Sequence, residues 1–191
     1  DPNEYMGEIA KVRVYAGDQG AEIDMDHAKL PSAGLHDRSF ADSPVDNTYD
    51  LTISNWADTP TEWLTVNGIV YDGLIHNRIQ LNSLQEWTIT QDYDNRYAEF
   101  TNHNWHLHTH HFQIAGSSDP RGGTEDWSLW DWRDTVNVPH GGWVKIRFLA
   151  ENYAGYLLHH CHVFNHETAG MKQLAQVINC TDKDIYDGLK S

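Results

Sequence analysis

His103-Asn104-Trp105-His106-Leu107-His108-Thr109-His110-His111 and His159-His160-Cys161-His162, the second run followed by His166 and Met171, hold nine of the chain's thirteen histidines and one of its two cysteines. Crowding of that kind points to bound metal, because imidazoles packed together without a partner would be costly to bury. If both segments are extended, successive side chains point to opposite faces. His106 and His108 then share one face and His160 and His162 another, while Leu107 and Cys161 point away. A single His-Cys-His tripeptide can therefore serve two different centres.

Ligand chemistry narrows the metal. A thiolate with two imidazoles and a distant thioether suits the trigonal copper sites used for electron transfer, whereas structural zinc takes four strong ligands. Cys161 supplies the thiolate, His103 and His166 the imidazoles, and Met171 the thioether. His106, His108, His160 and His162 are left over with no sulfur among them, and imidazole-only sites suit copper that reacts with oxygen.

These two segments resemble the last two copper-binding motifs of the multicopper oxidases, which usually read His-Pro-x-His-x-His-Gly and His-Cys-His-x-x-x-His-x-x-x-x-Met or Leu. Trp132-Arg133-Asp134-Thr135-Val136-Asn137-Val138-Pro139 and Val66-Asn67-Gly68-Ile69-Val70-Tyr71-Asp72 also resemble the third cupredoxin domain of that family. The resemblance covers most of residues 45–178. It implies an all-β, Greek-key cupredoxin β-sandwich, with His103, Cys161, His166 and axial Met171 on a type 1 copper. It further implies His106 on a type 2 copper, His108, His160 and His162 on a type 3 pair, and Glu167 as a proton donor to reduced oxygen. Methionine in the axial position implies a lower potential than leucine or phenylalanine there. Asn104 replaces the usual proline and Thr109 the usual glycine, which alters the expected backbone path but removes no ligand.

The family's trinuclear cluster draws on four His-x-His motifs, and the sequence has two, His106-x-His108 and His160-x-His162. The chain is therefore read as the C-terminal part of a laccase-like oxidase, nicked or encoded as two pieces, with N-terminal domains supplying the remaining ligands. The expected organisation is a terminal strand of the preceding cupredoxin domain at 1–15, a Gly/Asp/Ser/Pro-rich linker at 16–44, the C-terminal cupredoxin domain at 45–180 and a tail at 181–191. Strand signals fall at 49–53, 63–66, 86–89, 112–115, 144–148 and 174–178, with a helical turn after Cys161. The implied co-reactants are dioxygen and a small reductant such as a phenol, an aromatic amine or a metal ion. Two rivals remain: a stand-alone electron-transfer cupredoxin, which has no use for the four extra histidines, and an inactive metal-binding relative.

The formal charge of −15 argues against nucleic acid as a partner, since phosphate binding needs a basic surface. No apolar run is long enough to span a bilayer, and no signal peptide opens the chain, which for a fragment says nothing about secretion. The family resemblance implies an extracellular or periplasmic setting. Cys180 has no partner once Cys161 is given to copper, so it is either a buried free thiol or a disulfide to the other piece. His27, His36, His76 and His140 read as ordinary surface or satisfied histidines. His110 and His159 read as supports, Arg133 with Asp134 as a salt bridge, and Gly116 to Trp130 as a loop bordering the substrate site.

Overall fold

Period-two burial decides where the strands run. Buried and half-exposed residues alternate through β4 (Leu84–Gln91), β9 (Trp143–Leu149) and β11 (Lys172–Ile178), the signature of strands with one face on a core and one facing outward. The computed structural model describes residues 38–56, 63–92, 102–120 and 127–179, all within one compact unit, Gly34–Ser191. The calls on 1–15 and 181–191, and on His27, His36 and Cys180, lie outside the described residues.

The remaining strands are β1 (Asn47–Trp56), β2 (Trp63–Val66), β3 (Ile75–Gln80), β5 (His103–Leu107), β6 (Phe112–Ser118), β7 (Trp132–Arg133), β8 (Thr135–Val138) and β10 (Gly155–Cys161). One short helix, α1 (Phe164–Thr168), joins β10 to β11. One sheet has the order β2-β1-β4-β9-β6-β7 and the other β3-β11-β10-β5-β8. Both are mainly antiparallel, with a parallel pair β1/β4 in the first and β11/β3 in the second. Since β4, β6 and β9 lie in one sheet and β5, β8 and β10 in the other, the chain crosses repeatedly between layers.

The core fills the space between the sheets. Leu51, Ile53, Trp87, Ile89, Val144, Ile146 and Phe148 face inward from the first sheet, and Trp105, Leu107, Val136, Val138, Leu157, Ala175 and Val177 from the second, all buried. Complete burial of each larger apolar side chain stabilises the fold by about 1.5–3 kcal/mol. The all-β Greek-key sandwich expected from the motifs is therefore the fold, and all six expected strands form, each at or beyond its expected bounds. β3 gave no such signal because its sequence, Ile-His-Asn-Arg-Ile-Gln, buries Ile79 alone.

Three details differ from expectation. The stretch read as linker ends in contact with the sandwich: Phe40 is buried, its N–H donates to Gln113 Oε1 (2.7 Å), and Arg147 Nη1 donates to the Phe40 and Ala41 carbonyls. Gly116 to Ser118, read as loop, belong to β6, which bulges between Ile114 and Gly116 to keep its pairing with β9. Arg133 pairs with Asp131 at 3.7 Å rather than with Asp134. Asp134 is exposed and contributes its carbonyl, which accepts the Leu107 N–H.

Candidate metal centres

β5 and β10 are neighbours, with His159 opposite Leu107, His160 opposite His106 and Cys161 opposite Trp105. Alternation then sorts the ligands by face. His103, Trp105, Leu107, His159 and Cys161 point into the core, and all are buried. His106, His108, His160 and His162 point outward from the second sheet. Both segments are extended as the sequence reading required.

On the inner face, Cys161 Sγ lies 3.5 Å from His103 Nδ1 and 3.7 Å from His166 Nδ1, and the two Nδ1 atoms are 3.1 Å apart. Donors placed around a shared ion at ordinary metal–ligand distances stand about 3.5 Å from one another, so this triangle has the spacing of a trigonal site. α1 makes it possible: the helical turn carries His166 back over Cys161. Met171 is fully buried, its N–H donates to the His166 carbonyl (3.0 Å), and its own carbonyl accepts the Cys161 N–H (3.0 Å). Of the four residues, His166 alone keeps part of its surface exposed.

On the outer face, His106, His108 and His160 offer ring nitrogens all within 4.8 Å of one another. His108 Nε2 and His160 Nε2 are 3.1 Å apart. His162 joins this group through ring contacts, 5.2 Å from His106 and 5.7 Å from His160 between centroids. Hydrogen bonds to carbonyls fix two tautomers, since a carbonyl only accepts. His106 Nδ1 donates to the Asp134 carbonyl (2.9 Å) and His160 Nδ1 to the Cys161 carbonyl (2.9 Å), which leaves each Nε2 lone pair available.

The electrostatics favour ligation. Burial lowers the His103 pKa to about 3, helped by the charges of His166 and His140, so this imidazole stays neutral. Burial likewise lowers His106 and His108, with neighbouring histidines adding to the effect. Burial pushes the Cys161 thiol up, so the apolar pocket alone does not make a thiolate, and a cation has to displace its proton. Glu167 lies close enough for its charge to act on both His108 and Cys161, and its carboxylate accepts from Lys172 Nζ at 3.3 Å.

The two departures from the family motif have local explanations. The Asn104 carbonyl accepts the His162 N–H at 2.6 Å, a role that needs no particular side chain. Thr109 sits at φ 63°, a left-handed conformation that favours glycine. Thr109→Gly should therefore raise stability by about 1 kcal/mol, read as a higher urea midpoint with an unchanged slope. A lower midpoint would mean that the Thr109 hydroxyl, 2.8 Å from His110 Nδ1, matters more than backbone strain.

His159 and His140, outside the donor sets, are also buried. His159 is fully buried between Trp87 and Trp105, and neither ring nitrogen has a hydrogen-bond partner. His140 is buried and influences His103; its Nδ1 accepts from Gln91 Nε2 (3.1 Å), and its N–H donates to Asn102 Oδ1. The sequence reads His159 as a support and His140 as a surface or satisfied histidine, and the bonds to Gln91 and Asn102 make His140 the satisfied kind. His110, read as a support, has its ring against the Thr109 hydroxyl and the Glu151 carbonyl. His76 Nε2 lies 2.9 Å from Asp72 Oδ1.

A pH dependence follows. His159, like His103, is lowered to about 3 by burial, against a usual value of 6.5. Between those values the unfolded chain binds more protons than the folded one, so stability falls as pH falls. The metal-free protein should grow steadily less stable as pH falls from about 6.5 towards 3, each of the two histidines adding to the slope. Urea midpoints measured down that range check this, and His159→Leu should remove its share of the slope. An unchanged slope in that variant would contradict the assignment.

A two-sheet sandwich with a buried Cys-His-His triangle on one side of a strand pair and an imidazole group on the other defines a copper-binding domain of the cupredoxin type. The multicopper oxidase family model matches residues 41–179. The chain belongs to the multicopper oxidase family. Laccase-10 of Oryza sativa is 34% identical over 160 residues, 80% of this chain and 25% of its own length. Laccase-3 of Arabidopsis thaliana is 37% identical over 84 residues, 41% of this chain and 15% of its own. The fold also matches the multicopper oxidase of Pediococcus acidilactici at TM-score 0.58 and 22% identity, over 72% of this chain and 28% of that one. A multicopper oxidase from Campylobacter jejuni, described as a metallo-oxidase, matches at TM-score 0.58 and 19% identity, over 73% and 32%. The chain thus spans about a quarter of Laccase-10 and less of Laccase-3.

Proposed function

We propose that this chain is the C-terminal cupredoxin domain of a laccase-like multicopper oxidase, which oxidises a phenol, an aromatic amine or a metal ion by single electrons and reduces dioxygen to water. The observation that carries this reading is the sharing of one strand pair by two donor sets, one on each face. His103, Cys161, His166 and Met171 would hold a type 1 copper. His106 would serve a type 2 copper, and His108, His160 and His162 a type 3 pair. The bound coppers would supply the redox chemistry.

The residues supply geometry, access and protons. His166, partly exposed, offers the edge through which a reductant's electron enters. From Cys161 the path to the outer face is covalent through its peptide neighbours His160 and His162, and the imidazole Nδ1–H of His160, held by the Cys161 carbonyl, adds a second contact. Glu167, whose charge acts on His108 and whose carboxylate accepts from Lys172 Nζ, would hand protons to the outer face. The remaining imidazoles would come from the N-terminal domains of the same enzyme, as a separate chain or fragment. An extracellular or periplasmic setting suits this reading, and among the described residues no helix is long and apolar enough to cross a membrane.

A stand-alone electron carrier would need the inner triangle only. The copper-loaded protein, assembled with its N-terminal domains, should therefore take up oxygen with a phenolic reductant. His106→Ala should abolish that uptake and leave the visible absorption of the inner site intact. A blue protein that consumes no oxygen would favour the carrier, whereas uptake that survives His106→Ala would remove His106 from the oxygen-reacting set.

A further inference from the structure

We propose that Trp105, His159, Trp87 and Tyr49 form an aromatic relay that carries oxidising equivalents from the neighbourhood of Cys161 to the surface of the sandwich, a reading that rests on the oxidase function above. Trp105 lies directly opposite Cys161 across the β5/β10 pair, and both are fully buried. The Trp105 ring is 5.4 Å from His159, His159 is 5.0 Å from Trp87, and Trp87 is 5.4 Å from Tyr49, centroid to centroid. These contacts run without a gap from the second sheet through the core to the first, where Tyr49 pairs with Trp87 across β1/β4. Tyr49 is half-buried, and its hydroxyl meets Gln173 Oε1 at 3.2 Å and Asn67 Nδ2 at 3.4 Å on an exposed turn.

Plain packing accounts for the rings but not for the imidazole. His159 buries two ring nitrogens with no partner, a cost that leucine in the same space would not carry. An aromatic ring there keeps the two indoles in electronic contact. The indole N–H groups of Trp87 and Trp105 also lack acceptors. An oxidised indole at either position thus keeps its proton, and the missing electron can pass on without waiting for proton transfer.

The step balances as follows. With copper and dioxygen bound and reductant scarce, partly reduced dioxygen would act as a one-electron oxidant and draw an electron from Trp105. Trp87 refills Trp105 across His159, whose imidazole bridges without being oxidised, and Tyr49 refills Trp87. Tyr49 loses its phenolic proton to solvent and becomes a neutral phenoxyl radical. A phenolic reductant then returns one hydrogen atom, restoring Tyr49 and becoming a phenoxyl radical itself.

The test uses the copper-loaded holoprotein turning over in oxygen with limiting reductant, frozen at intervals and examined by electron paramagnetic resonance with ring-deuterated tyrosine as the label. A label-sensitive radical should appear in the wild type. It should vanish in Tyr49→Phe and fall several-fold in Trp87→Phe and in His159→Leu, while the blue absorption persists. Both core variants should also inactivate faster when reductant is scarce. A radical undiminished in Tyr49→Phe, or no radical in a wild type that is blue and consumes oxygen, overturns the relay alone. A wild type that neither turns blue nor consumes oxygen overturns the oxidase reading and the relay with it.

Discussion

Replacing Cys161 by serine in the copper-loaded protein should erase the intense visible absorption and lower oxygen-consuming turnover by more than about a hundredfold. The serine hydroxyl is nearly the same size, so the fully buried pocket should tolerate the change and the fold should persist. What disappears is chemical. A hydroxyl does not ionise to a strong soft donor, so the triangle of donors at 3.1 to 3.7 Å loses the corner that sits on the backbone between His160 and His162. Absorption spectra and oxygen uptake on the same sample check both halves. Retention of colour and turnover would remove the basis for linking the two faces.

Gly170→Ala should destabilise the protein by about 3 kcal/mol and disturb the copper environment at the same time. Gly170 has φ 114°, a conformation that side chains rarely adopt, and an added Cβ would lie 2.5 Å from Val70 Cγ1 and 3.3 Å from the Tyr71 nitrogen. The Gly170 carbonyl accepts the Tyr71 N–H (3.1 Å), and Met171 follows in the chain. Relief of the clash must therefore move either the Val70–Tyr71 segment or Met171. Chemical denaturation gives the first effect, and a shifted visible band the second. A variant with wild-type stability and an unshifted band would show that the loop yields freely, contrary to the close contacts.

Much of the candidate site's grouping was legible because its possible donors are local in sequence. Strand alternation about Cys161 separates the two donor sets from the letters alone, and the spacing to His166 and Met171 describes one helical turn. The fold was legible where a strand buries every second residue, as β4 and β9 do. It was not legible at β3, whose polar sequence is held by pairing with β11, nor at residues 38–41, which are held by Gln113 and Arg147 from distant strands. The depth at which His159 and His140 are buried was not legible for the same reason. What sets them apart is the company they keep, namely Trp87 and Trp105 for one and Gln91 and Asn102 for the other, and contacts of that range leave no periodic trace.

The pairing of β5 with β10 limits how this part of the chain can change over time. Losing or gaining one residue in either strand would turn every following side chain over, exposing the sulfur and driving the outward imidazoles into the hydrophobic interior. Both centres would fail together, with no half-working form between. Point replacements can accumulate there, as Asn104 and Thr109 illustrate, but length variation should be confined to the connecting segments on either side.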